Sequence, residues 1–183
     1  MPFVFFVHPD NPVDSLSLEQ IRRIYSGKIT DWSLLTDSFA GTVLPYQHSG
    51  NSLCQAALEW LMETNPLVSP LLDSGGGYSG WMTEAGIIAQ YRNLPGAIGC
   101  AFSGMFSDSA AEAVKPVQID GILPSPENIE SGAYPLCVPI YAVTRKDNPS
   151  NSIAALLEWL TSEQGQALIS HAGILPLNYG GIA

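Results

Sequence analysis

Residues 43–58, VLPYQHSGNSLCQAAL, limit the possible folds more than any other stretch. Residues 43–46 are a short apolar run that reads as a buried strand, and residues 48–51 are a polar loop with a glycine. From Ser52 onward Leu53, Ala56, Ala57, Leu58, Trp60 and Leu61 recur at helical spacing. Asn51 or Ser52 is suited to cap that helix, because a short side-chain oxygen accepts an N–H that the first turn leaves without an intrahelical partner. A strand, a tight loop and a helix in direct succession form an α/β unit. The helix start also presents N–H groups and the positive end of a dipole, which favour an anion. An ordinary strand-to-helix turn without a ligand has the same shape, so the function has to come from the rest of the chain.

The rest keeps the same alternation. Phe3–Val7 reads as a strand, followed by a loop dense in turn formers. Ser17 with Gln20 three residues later is a capping box, Leu18, Ile21, Ile24 and Tyr25 form one apolar helix face, and Gly27 is placed to end the helix. Ile29 and Trp32 are expected to pack the following turn. The glycine-rich residues 73–80 lack a phosphate-loop pattern and read as a connector. Further expectations are a helix over 83–91, a strand over 97–102, a helical turn over 107–113, a strand over 117–119 and a capped helix over 125–130. A strongly apolar strand over 138–144 follows. A helix then starts at Asn148 and Pro149 with Ile153, Leu156, Leu157 and Leu160 on one face, and a last helix over 163–171 is closed by Gly173. This pattern predicts α/β layers rather than a bundle or a sandwich.

Composition excludes several function classes. The chain has 183 residues, a net charge of −10 and only seven Lys and Arg, so it lacks the clustered cations that nucleic acid or an anionic membrane requires. One small anion remains possible, because main-chain N–H groups hold it without net positive charge. No apolar run approaches the ~20 residues of a membrane span. The opening MPFVFFV has no basic stretch before it and no cleavage site after it, so it reads as a strand rather than a signal peptide. Cys54, Cys100 and Cys137 are widely spaced and expected to be buried free thiols, with Cys54 set apart by its place in a helix's first turn. His8, His48 and His171 show no metal-ligand spacing, and no GxSxG elbow is present. A His48–Cys54 pair would lack an orienting third group. No enzyme activity, metal or cofactor is expected.

Five segments in order carry a family resemblance: NPVDSLSLEQIRRIYSGKITDW, VLPYQHSGNSLCQAALEWLM, YRNLPGAIGCAF, IESGAYPLCVPIYAVTRKDNP and LLEWLTSEQGQALISHAGILPL. Together they resemble the phosphate-binding proteins of bacterial ABC transporters, which have the type II periplasmic-binding-protein fold. The combination is specific although no single segment is. The resemblance implies an α/β fold with one complete lobe plus a partial second lobe. Residues 9–136 would be the complete lobe, and residues 1–8 and 137–183 the crossover strands and partial lobe, with residues 3–8 and 139–145 as the crossings. It implies a non-catalytic solute-binding role for phosphate or another small anion, possible ABC membrane subunits as partners, and an extracytoplasmic location, although this chain shows no signal peptide.

The same resemblance places His48, Asn51, Ser52 and Cys54 at the ligand. Where the family has an arginine this chain has His48, and the family's Ser-Gly-Ser/Thr run reads Ser52-Leu53-Cys54. A neutral histidine loses the bidentate cation, and a thiol is a weaker donor than a hydroxyl. Phosphate binding is therefore expected to be weak or lost. The alternative is a degenerate or repurposed lobe acting in protein–protein association without an anion. The strand over 138–144 and the helix bearing Ile153 and Leu156 are expected to leave apolar faces uncovered, for a homodimer or a partner chain to bury.

Overall fold

The structure, a computed structural model, describes residues 1–48, 50, 52–71, 94–105, 111–145, 151–171, 174 and 176–177. The expected connector at 73–80, the helix over 83–91, the first part of the turn over 107–113, the helix start at Asn148 and Pro149, Gly173 and Asn51 lie outside the described residues.

The core is built around β1, Phe3–Val7, in which all five residues are buried. A strand without a polar face needs cover on both sides and pairing on both edges. It pairs antiparallel with β4, Ala97–Phe102, in the register Phe3↔Phe102 through Val7↔Ile98. On its other edge it pairs antiparallel with β5, Lys115–Pro116. A short β3, Leu44–Pro45, runs parallel to β4, giving the order β3-β4-β1-β5. A second, two-stranded parallel sheet joins β2, Ser15–Leu16, to β6, Gln118–Ile119.

Alternation along β1 aims Phe3 and Phe5 at one face. The Phe5 ring lies 5.8 Å from that of Tyr25 on α1, Leu18–Tyr25, and the Phe3 ring lies 5.1 Å from that of Phe102. The expected capping box closes the start of α1. Ser17 Oγ accepts the Gln20 N–H at 3.1 Å, and Gln20 Oε1 accepts the Ser17 N–H at 2.8 Å. At its end Gly27 takes φ +74°, while the N–H groups of Gly27 and Lys28 return to the carbonyls of Ile24 and Arg23. The helix α2, Leu53–Met62, packs on α1 and β4 through Leu58, Leu61 and Met62. Arg22 ties the two helices together, donating from Nε to the Leu61 carbonyl at 2.9 Å and pairing with Glu63 at 2.6 Å.

Further α-helices among the described residues are α3, Pro126–Glu130, capped by Ser125, and α4 and α5, Asn151–Thr161 and Glu163–His171. They match the helices expected over 125–130 and 163–171. The strand expected over 117–119 is divided at Val117, because the chain leaves one sheet there and enters the other: Val117 N–H bonds Phe5 O, and Gln118 N–H bonds Asp14 O.

The strand expected over 138–144 does not form. Beyond the bridge between Pro2 and Cys137, residues 139–145 join no ladder among the described residues, and Tyr141 and Val143 are 77% and 90% exposed. An apolar segment becomes a strand only where a neighbouring edge supplies hydrogen bonds, and no described edge reaches this one. The face of α4 is uncovered in part: Leu156 is exposed, while Ile153, Leu157 and Leu160 are half-buried.

Phe5 is fully buried at the centre of this arrangement. Replacing it, Phe5→Ala, is expected to lower the unfolding free energy by about 3–5 kcal/mol, read as a reduced urea midpoint with the slope unchanged. A loss below about 1 kcal/mol would place the core elsewhere.

Candidate functional site

The loop after β3 is held from three sides. Tyr46 N–H continues the pairing by bonding Ile98 O at 2.9 Å, and the Tyr25 hydroxyl donates to Tyr46 O at 3.2 Å. Gln47 is buried and its Nε2 donates to Val68 O at 2.7 Å. His48 is 7% exposed, with its ring turned beneath the loop, and Nε2 lies 2.5 Å from the Cys100 carbonyl. A carbonyl only accepts, so Nε2 carries the proton and donates.

The helix start lies on the other side of the loop. Ser52 is half-buried and takes extended dihedrals as the N-cap residue, its hydroxyl oxygen accepting the Gln55 N–H at 3.0 Å. That hydroxyl keeps its own proton to donate. Cys54 is 2% exposed and lies on the inward face of α2, close enough to Cys100 for the two thiols to act on each other electrostatically. The structure thus brings His48 and Ser52 to the two ends of one loop and turns the side chains of His48 and Cys54 inward. Asn51 lies outside the described residues.

Sequence reasoning missed Gln55. It is 5% exposed, and its Oε1 accepts the His48 N–H at 3.1 Å. A signal was present in the Ser52–Gln55 spacing, which is the spacing of a capping box.

Beside this loop runs an apolar groove of about 410 Å³, lined by Leu53, Ala56 and Trp60 of α2 and by Phe3, Phe102 and Leu136 among others. It offers an anion little to bond, and the loop and the Ser52 cap are the polar part of this face. Among the described residues no group of three His, Cys, Asp or Glu is placed to hold a metal, and no helix is long and apolar enough to cross a membrane.

The thiols divide by burial. Burial pushes the Cys100 thiol up strongly, nearby Cys54 adds to the rise, and a hydrogen bond with Tyr25 opposes it. Cys137, expected to be buried, is exposed, because in its bridge with Pro2 it alternates outward between buried Leu136 and half-buried Val138. Partial desolvation raises its thiol, and the amino terminus pulls the other way. A thiol reagent is expected to label only Cys137 in the folded chain, faster above pH 9 than at pH 7, and all three cysteines after unfolding. Rapid labelling of Cys54 in the native state would show that the α2 start opens.

The sequence pattern of the PBP superfamily domain matches residues 1–164. The phosphate-binding protein PstS of Bacillus subtilis is 26% identical over 174 residues, covering 93% of this chain and 53% of that protein. PstS 2 of Streptococcus agalactiae is 30% identical over 84 residues, 46% of this chain and 27% of that protein. Among solved structures, one from Clostridium perfringens with bound phosphate is similar at a TM-score of 0.71 and 26% identity, covering 96% of this chain and 68% of that one. An ABC-type phosphate transport receptor from Vibrio cholerae gives a TM-score of 0.74 at 23% identity, covering 96% and 70%. The chain spans about half the length of the Bacillus protein. With 164 consecutive residues matched and the same fold recurring in these structures, the chain belongs to the PBP superfamily domain family.

Proposed function

We propose that this domain binds a small oxyanion, phosphate first among them, as the solute-binding part of an ABC-type uptake system. In this reading it works outside the cytoplasmic membrane, alongside ABC membrane subunits, and catalyses nothing. The observation that carries the reading is the Ser52-capped start of α2 facing a loop rooted on β4, in a chain similar to the phosphate-binding proteins described above. His48, Ser52 and Cys54 frame the anion position, His48 and Cys54 through their main chain because their side chains turn inward, and Asn51, outside the described residues, is assigned to it by the family resemblance alone. The Ser52 hydroxyl and the positive end of the α2 dipole meet the anion, and the ring of His48 steadies the loop from below. Arg22, Lys28 and Lys115 are committed to Glu63, Asn65 and Asp14, so the helix dipole and neutral donors supply much of the attraction. Residues 9–136 form the lobe that holds this position, and residues 1–8 and 137–183 belong to the crossing and the partial lobe.

Calorimetric titration of the chain with phosphate at pH 6 and pH 8 tests this. Saturable heat is expected at one or both values, with Ser52→Ala weakening the affinity about tenfold or more, since a hydrogen bond to a charged group contributes ~1.5–3 kcal/mol. No heat at millimolar phosphate at either pH would overturn the reading.

We also propose that a second copy of the chain covers the exposed apolar residues Ile140, Tyr141, Val143, Leu156 and Leu168. Sedimentation is expected to show a dimer. A monodisperse monomer that binds no hydrophobic dye would overturn this.

A further inference from the structure

Gln55 is tied to both ends of the anion loop. Its Oε1 accepts the His48 N–H at 3.1 Å, and its own main-chain N–H donates to Ser52 Oγ at 3.0 Å. Its Nε2 donates to Glu59 Oε1 at 3.1 Å and to Gln47 Oε1 at 3.4 Å. Gln47 is in turn fixed to Val68 O. At 5% exposure the amide of Gln55 is out of water and each side-chain polar atom has a partner. In a capping box the side chain of the residue three after the N-cap returns to the N-cap N–H and closes the helix end. Here the acceptor goes four residues further back, to the far side of the loop.

We propose that Gln55 is the positioning residue of the anion loop: it holds His48 and Ser52 at a fixed separation and thereby sets the affinity for the anion. This rests on the phosphate reading above and adds to it the group that shapes the site without touching the solute. A buried amide with three hydrogen bonds leaves its partners little freedom, and a donor set displaced by a fraction of an ångström binds a small anion less well.

Two variants and two readouts test it. Gln55→Leu removes every side-chain bond. It is expected to weaken phosphate binding about tenfold or more while the far-ultraviolet circular dichroism stays native. Gln55→Glu keeps the acceptor for His48 but sets a carboxylate against Glu59. Among the described residues Glu59 is the titratable side chain hydrogen-bonded to Gln55, while His48 bonds it through its main-chain N–H and turns its ring to the Cys100 carbonyl. At pH 5 one shared proton lets the new carboxyl donate to Glu59, whereas at pH 8 two ionised carboxylates repel. The affinity of Gln55→Glu relative to the parent chain is therefore expected to be near one at pH 5 and to fall about tenfold at pH 8. Taking the ratio at each pH removes the titration of phosphate itself. Amide exchange gives the second readout: the His48 N–H is expected to lose protection in Gln55→Leu while the amides of β1 and β4 keep theirs.

Parent-like affinity in a folded Gln55→Leu chain, or a Gln55→Glu ratio that does not change with pH, would overturn the proposal. A parent chain that takes up no phosphate would overturn the phosphate reading instead. The clamp would then be judged on exchange alone, where lost protection at His48 supports it and unchanged protection overturns it.

Discussion

The pairing of β1 with β4 is the constraint from which the other positions follow. Five apolar residues in succession have no side that can face water, so β1 has to be central and its two edges must be filled. β4, equally apolar, takes one edge. Its opposite edge then carries β3, and the chain leaving β3 has to begin its loop there. Cys100, opposite Phe5 in this register, is the residue whose carbonyl anchors the His48 ring. The candidate site is thus placed by hydrophobic pairing two strands away, before any polar residue of the site acts.

Much of this was legible in the sequence because the signals are local. Ser17 with Gln20, Gly27 after Tyr25, and Ser52 before an apolar period act within one helical turn, and the structure shows each at its expected post. What was not legible depends on distant partners. β2 lies in a stretch dense in turn formers and is a strand only because β6, about a hundred residues later, runs beside it. Residues 138–144 have every local mark of a strand, yet beyond Val138 they join no ladder among the described residues, since composition cannot supply an edge. Gln55 was hidden differently. Its spacing from Ser52 suggests a helix cap, and only the fold of the loop brings the His48 N–H within reach of its acceptor.

The face beside α2 separates two kinds of surface over a short distance. The loop and cap offer donors and a dipole, while the next residues along the helix, Leu53, Ala56 and Trp60, line a groove almost without polar atoms. A small anion gains only from the first. The inward side chains of His48 and Cys54 sharpen this division, because they leave the Ser52 hydroxyl as the side-chain donor at the helix start.

The route by which the chain leaves the sheet has a mechanical consequence. Tyr134 donates its hydroxyl to Phe3 O, Phe3 N–H bonds Leu136 O at 2.7 Å, and Val138 N–H bonds Met1 O at 2.8 Å. The outgoing segment is therefore laced side by side to the strand that organises the core. Hydrogen bonds in such a ladder lie across the chain direction. A pull along residues 139–145 loads the rungs together in shear, whereas a pull perpendicular to them opens the rungs one at a time. The chain at residues 136–138 is accordingly coupled stiffly to β1 along one axis and loosely along another, so the direction of an applied force decides whether the core feels it.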